Sequence, residues 1–235
     1  PLLSQSYIYY FYPEFKSFYT TAEWEQIDKK VLDLTLEKSL ILDRENFEIE
    51  IFEYNRKCGE NESQLCQMIR NDFVEEFIIY INKTNLSLST EIKHSIFETN
   101  HFLNDKKTSL IEYSAFFGSI QIFKYLFLNG VELTPSLWLY VIHGNNPELI
   151  HLLEENHIIP ADKTYKKCLY ECIKLHSNDF ADYFYNNLID KKVCDVNPNL
   201  ESVSLKYRNF HFIDRSGLNF DYFGFYCKYN YISLV

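Results

Sequence analysis

Along most of the chain, apolar residues recur every three or four positions, the period at which side chains share one face of an α-helix. Trp24, Ile27, Val31 and Leu34 form one such stripe. It follows Thr20-Thr21-Ala22-Glu23, which has the spacing of a capping box, where a Thr oxygen and a Glu carboxylate satisfy opposing free amides. A second stripe, Phe47, Ile51 and Tyr54, follows Asp43 as a cap and stops at Gly59. Residues 47–51 also alternate like a strand, but the stripe runs on to Tyr54 and Cys58, which favours a helix. Residues 1–60 are read as a helical amino-terminal region.

Beyond residue 60 a short plan of two helices and a turn recurs, with units near 63–82, 108–130, 135–156 and 164–187 and an incomplete one near 219–235. In the clearest unit, Ser109 to Gly118 makes one helix and its exit, and Ile122, Tyr125, Leu126 and Phe127 line a second that ends at Gly130. Gly118 suits the turn because a residue without Cβ accepts positive φ freely. The next unit starts at Thr134-Pro135, a cap with proline at the first helical position. Trp138, Val141 and Ile142 give its first apolar face, Asn145 to Glu148 the turn, and Leu149, Ile150, Leu152 and Leu153 its second. A third unit turns at His176 to Asp179 and continues with Phe180, Ala181, Tyr183 and Phe184. The turns lie 27 (145 − 118) and 31 (176 − 145) residues apart, somewhat below the roughly 33 of an ankyrin unit. Weaker units turn at Asn71-Asp72 and begin at Phe223, where the chain stops mid-unit, which reads as a truncated chain or an incomplete gene product.

Ser109 to Gly118, followed by Ile122, Leu126 and Gly130, resembles the ankyrin pattern T-P-L-H-x-A-A-x-x-G…L-L-x-x-G-A, with Leu110, Glu112 and Ser114 as departures. The runs from Ser109 through Leu126, from Gly130 through Trp138 and from His151 through Asn156 are similar to the divergent ankyrin domain of a large expanded protein family of parasitic protists. The resemblance extends over 53–184. It implies an all-α, ankyrin-like helical-repeat solenoid that serves as a binding scaffold, and it brings neither catalytic residues nor a known ligand.

Composition narrows the partners. There are 20 Phe and 19 Tyr but only 6 Gly and 6 Pro, too few turn residues for a fold of many short strands. A net charge of −10 with no basic run disfavours nucleic acid and anionic membrane, and favours a protein partner with a basic segment. No apolar run approaches the roughly 18 residues that span a bilayer. Six scattered cysteines read as reduced thiols in a cytoplasmic protein. The Asn-x-Ser/Thr triplets at Asn61, Asn82 and Asn85 read as chance matches.

Candidate chemistry is sparse. No phosphate-cradling glycine loop and no nucleophile signature occur, so no catalytic residue and no cofactor are assigned. Cys168, Cys172 and His176 share a helical face and could begin a zinc site, but a fourth ligand is not evident and core packing explains the cysteines, so no metal is assigned. Glu75-Glu76 and Glu154-Glu155 read as solvated charge. Partner binding falls to exposed positions of each first helix, on a concave surface: Tyr113 and Phe116, Tyr140 and His143, Glu171 and Lys174. The expected function is an adaptor or scaffold, with an amino-terminal capping fragment or an enzyme with an unrecognised site as alternatives.

Overall fold

A computed structural model describes residues 10, 11, 14, 47–104, 107–190, 197–213 and 223–228. The stripe from Trp24 to Leu34, its capping box, Asp43, Cys194 and residues 229–235 lie outside the described residues. Within them the regular structure is helical, as the patterning predicts; pairing of β type is an isolated antiparallel bridge between Glu91 and Ser109. The elements are α1 (Phe47–Cys58), α2 (Gln64–Arg70), α3 (Val74–Thr84), α4 (His101–Asn104), α5 (Leu110–Phe116), α6 (Ile120–Leu128), α7 (Leu137–Gly144), α8 (Pro147–Glu155), α9 (Lys166–Lys174), α10 (Asn178–Tyr183, continued by a wide turn Phe184–Leu188), α11 (Asn197–Tyr207) and α12 (Phe223–Lys228). No helix among the described residues is long and apolar enough to cross a membrane.

The chain divides into two compact units: Pro1–Met68 with Ile79–Leu110, and Ile69–Ile78 with Ile111–Val235. In the first, α1 is the helix expected, but its buried face is not the stripe read from the sequence. Ile51 and Tyr54 are exposed, whereas Phe52 is buried edge-on against Phe97, with ring centroids 5.0 Å apart. The covering residue comes from a segment distant in sequence, which periodicity within one helix cannot reveal. Asn61, an apparent glycan acceptor, is buried, and its side chain donates to the Lys93 carbonyl at 2.8 Å.

Left-handed residues mark the bends of the second unit: Asp72 (φ 53°), Gly118 (69°), Asn145 (47°) and His176 (57°) each join two helices, and Arg208 (57°) joins α11 to a 3-10 turn, Phe210–Phe212. At Gly118, His176 and Arg208 the exit has the Schellman form, which satisfies carbonyls left open at a helix end. The amide after the bend donates back into the outgoing helix, Ser119 to Ser114, Ser177 to Cys172 and Asn209 to Ser204, each at 2.9 Å. That same residue also reaches the preceding bend. The Ser119 hydroxyl donates to the Ile69 carbonyl, Asn146 Nδ2 to the Gly118 carbonyl (3.1 Å), Ser177 Oγ to Asn145 Oδ1 (3.4 Å) and Asn209 Nδ2 to the Ile173 carbonyl (3.0 Å). Asp72 also links two pairs, because its two carboxylate oxygens accept the Gln121 and Ile122 amides, both at 3.0 Å, and so cap α6.

Between the bends the core is continuous in type. Leu110, Ile111, Ser114 and Ala115 are buried on α5, as are Leu137, Trp138, Val141 and Ile142 on α7, and Cys168, Leu169, Cys172 and Ile173 on α9. On α6 the buried trio is Ile122, Phe123 and Leu126; Tyr125 and Phe127 are only half-covered. The expected start of α7 also moves. Thr134 and Pro135 form a turn in which the Thr134 carbonyl accepts the Leu137 amide at 3.1 Å, and the helix begins at Leu137. By contrast, Asn146 caps α8 by accepting the Glu148 amide, with Pro147 in the first helical position.

The bends at Gly118 and Gly144 touch. A Cβ on Gly144 would collide with the Ala115 carbonyl oxygen and lie 2.8 Å from Gly118 N, all rigid backbone. Gly144→Ala should therefore cost about 1–3 kcal/mol despite the better helix propensity of Ala. Gly224→Ala, with no atom within 4 Å of the added methyl, should be neutral or mildly stabilising. Urea unfolding of the two variants compares them directly. Asn209 is 2% exposed and donates to two acceptors, the Ile173 carbonyl and Asn178 Oδ1. Asn209→Ala should cost about 1–3 kcal/mol by leaving both short of a donor, read from the same transition.

Candidate binding face

Residues three and four apart lie together on a helix. Counting back from each left-handed bend, the position two residues before it is Arg70, Phe116, His143, Lys174 and Lys206 on α2, α5, α7, α9 and α11. The position one residue before it is Phe117, Gly144, Leu175 and Tyr207 from the Gly118 bend onward. Side-chain contacts link these positions from α2 to α9. Arg70 Nη1 donates to the Tyr113 hydroxyl at 3.0 Å, and its guanidinium lies 5.9 Å from the Phe117 ring centre. Phe117 adjoins Phe116 at 5.0 Å, and Phe116 stacks on His143 at 4.7 Å with the planes 22° apart. His143 Nε2 lies 3.0 Å from Glu171 Oε1, which also accepts from Lys174 Nζ at 2.9 Å. α9 and α11 pack against each other; His176 Nε2 is 3.0 Å from the Tyr207 carbonyl oxygen, and Lys206 Nζ stands 4.9 Å above the Tyr207 ring.

The six residues expected to present an exposed surface divide into two groups. Tyr113, Tyr140 and Phe116 are 1%, 2% and 8% exposed, so the expectation that they stand free on the surface is corrected. The position five residues before a bend lies too close to the neighbouring first helix to face solvent, and Tyr113 is further covered by Arg70 and Phe117. His143, Glu171 and Lys174 do come together, in the network just described, and Lys174 is the exposed member. Arg70, Phe117, Lys206 and Tyr207 were not anticipated. Their signal was present in the sequence as register: each sits one or two residues before a bend.

Burial raises the Glu171 pKa, but hydrogen bonds with His143 and Lys174 outweigh it and hold the carboxyl below its ordinary value. Burial pushes the Cys168 and Cys172 thiols far above the usual cysteine range, which keeps them protonated and weakly nucleophilic. His176 does not share their helix: α9 ends at Lys174 and His176 is the left-handed bend. Among the described residues no three His, Cys, Asp or Glu side chains are grouped to hold a metal ion.

Charge is segregated in this unit. The row two residues before the bends carries Arg70, Lys174 and Lys206 and no carboxylate. Nearby, Glu171 is bonded to two members of the row, and Glu112 accepts from Ser136 Oγ at 2.7 Å one helical turn away. The second helices carry Glu75, Glu76, Glu148, Glu154, Glu155, Asp179 and Asp182 against Lys83 and Lys124. Comparison with known protein families, curated proteins and solved structures finds no match.

Because the Glu171 pKa is lowered on folding, its contribution is complete above the ordinary glutamate range and is lost as pH falls through the folded value. Glu171→Gln should lower stability at neutral pH by on the order of 1 kcal/mol. It should also make the acid-side decline shallower below about pH 4.5. Urea midpoints measured from about pH 7 down to about pH 3 check both effects.

Proposed function

We propose that this chain is an ankyrin-like helical-repeat module that acts as a cytoplasmic adaptor or scaffold, binding another protein through the face of its first helices. The observation that carries this reading is the ladder of bends, in which the residue after each bend is hydrogen-bonded to the one before. Such a ladder fixes successive first helices in one register, so side chains at equivalent positions form a preorganised row that loses little entropy on binding. The row is rich in aromatic and cationic groups, the types that anchor protein interfaces. The buried thiols of Cys66, Cys168 and Cys172 support a reducing compartment.

A photo-crosslinking amino acid placed at Lys174, on the proposed face, should yield protein adducts in an extract of the cells that make this chain. The same group at Glu155, on the outer side of α8, should yield few. Equal labelling at both positions, or no protein adduct at Lys174, would sink the reading.

A further inference from the structure

The net charge of the chain favours a basic partner, yet the face described above carries the opposite sign locally. We infer that it receives an acidic, extended protein segment whose carboxylates recur three residues apart with apolar residues between them, an inference that rests on the module reading above. Arg70, Lys174 and Lys206 are the basic residues of a row without carboxylates, and Glu171, beside it, is shared by His143 and Lys174. Lys206 is exposed, and so is Lys174, whose ammonium has two donors besides the one given to Glu171, so both can meet an incoming carboxylate at small desolvation cost. Leu175, 38% exposed, and the half-covered Phe117 and Tyr207 rings offer apolar contact between the charges.

Spacing gives the segment a pattern. Packed helices lie about 8–10 Å apart, and a segment in the polyproline II conformation advances about 3.1 Å per residue and returns to the same face every third residue, so adjacent first helices are about three residues apart along it. Lys174 and Lys206 on neighbouring helices therefore select two acidic residues three apart. The Phe116–His143 stretch selects apolar residues, and Arg70 a further acidic one at the far end. The acidic second helices repel such a segment from the rest of this unit and confine it to the row. A single-stranded nucleic acid would also find cations and rings here, and an oligothymidylate therefore stands in the test as the rival occupant.

The test is a selection from a random twelve-residue peptide library displayed on phage, with the full chain as bait. Enriched peptides should be acidic, with acidic residues recurring three apart and apolar residues between them. Their binding, measured by fluorescence anisotropy, should weaken about tenfold or more in the Lys174→Glu/Lys206→Glu double variant. The milder Lys174→Gln/Lys206→Gln pair should weaken it less, and Glu155→Lys should leave it nearly unchanged. Glu155→Lys and the Gln pair should melt near the parent temperature, and the Glu pair, which sets a second carboxylate beside Glu171, should melt lower but in one cooperative transition. Enrichment of basic or neutral peptides, no enrichment, or indifference to both double variants would overturn the acidic-segment inference. So would equally tight, Lys174- and Lys206-dependent binding of an oligothymidylate. If crosslinking at Lys174 still captures a protein while the selected peptides are not acidic, the inference falls and the module reading stands; if both fail, the reading itself falls.

Discussion

A chain that leaves one helix and enters another within two or three residues must turn sharply and still satisfy the carbonyls and amides exposed at both helix ends. From Gly118 onward in the second unit a left-handed residue is followed by Ser or Asn, whose amide closes the outgoing helix at Gly118, His176 and Arg208 and whose side chain bonds back toward the bend before. The same few atoms thus end a helix and fix its distance from its neighbour. The close contact of Gly118 and Gly144 depends on this distance, as do the side-by-side placement of α7, α9 and α11 and the row of side chains in front of them.

The parts of the fold readable from sequence were those governed by neighbours. Helical periodicity marked Trp138, Val141 and Ile142 as one face, and glycine, asparagine and histidine marked bends through their tolerance of positive φ. The parts not readable depend on residues far along the chain. Phe52 replaces Ile51 and Tyr54 in the core because Phe97 covers it, and Phe123 faces inward on α6 where Tyr125 and Phe127 were expected. The candidate face shows the same division. Its position on the first helices followed from register, but Tyr113 and Tyr140 could not be distinguished from exposed rings without knowing how closely the first helices pack.

Net charge was a poor guide to local potential. A sum of −10 describes long-range behaviour, yet beyond about 10 Å charges are largely screened in physiological salt, so a partner responds to those it approaches and little else. In the second unit several carboxylates of the second helices are held by their own contacts. Lys124 bonds to Glu148, Tyr183 donates to Glu154, and His211 lies 2.9 Å from Asp182. The two sides of each helix pair therefore present different surfaces to solvent while sharing one core.

The bends at Gly118, Asn145, His176 and Arg208 lie 27 (145 − 118), 31 (176 − 145) and 32 (208 − 176) residues apart, yet the helices α6 to α9 are all eight or nine residues long. Part of the difference between the first two intervals is taken up in the segments joining one pair to the next, 129–136 and 156–165, eight and ten residues long, and the third interval is longer because α10 with its wide turn and α11 each reach 11 residues. Those segments lie at the opposite end of the helices from the bends. Insertions and deletions can accumulate there without shifting any side chain of the row, so the spacing a partner reads is independent of the length of chain needed to build it.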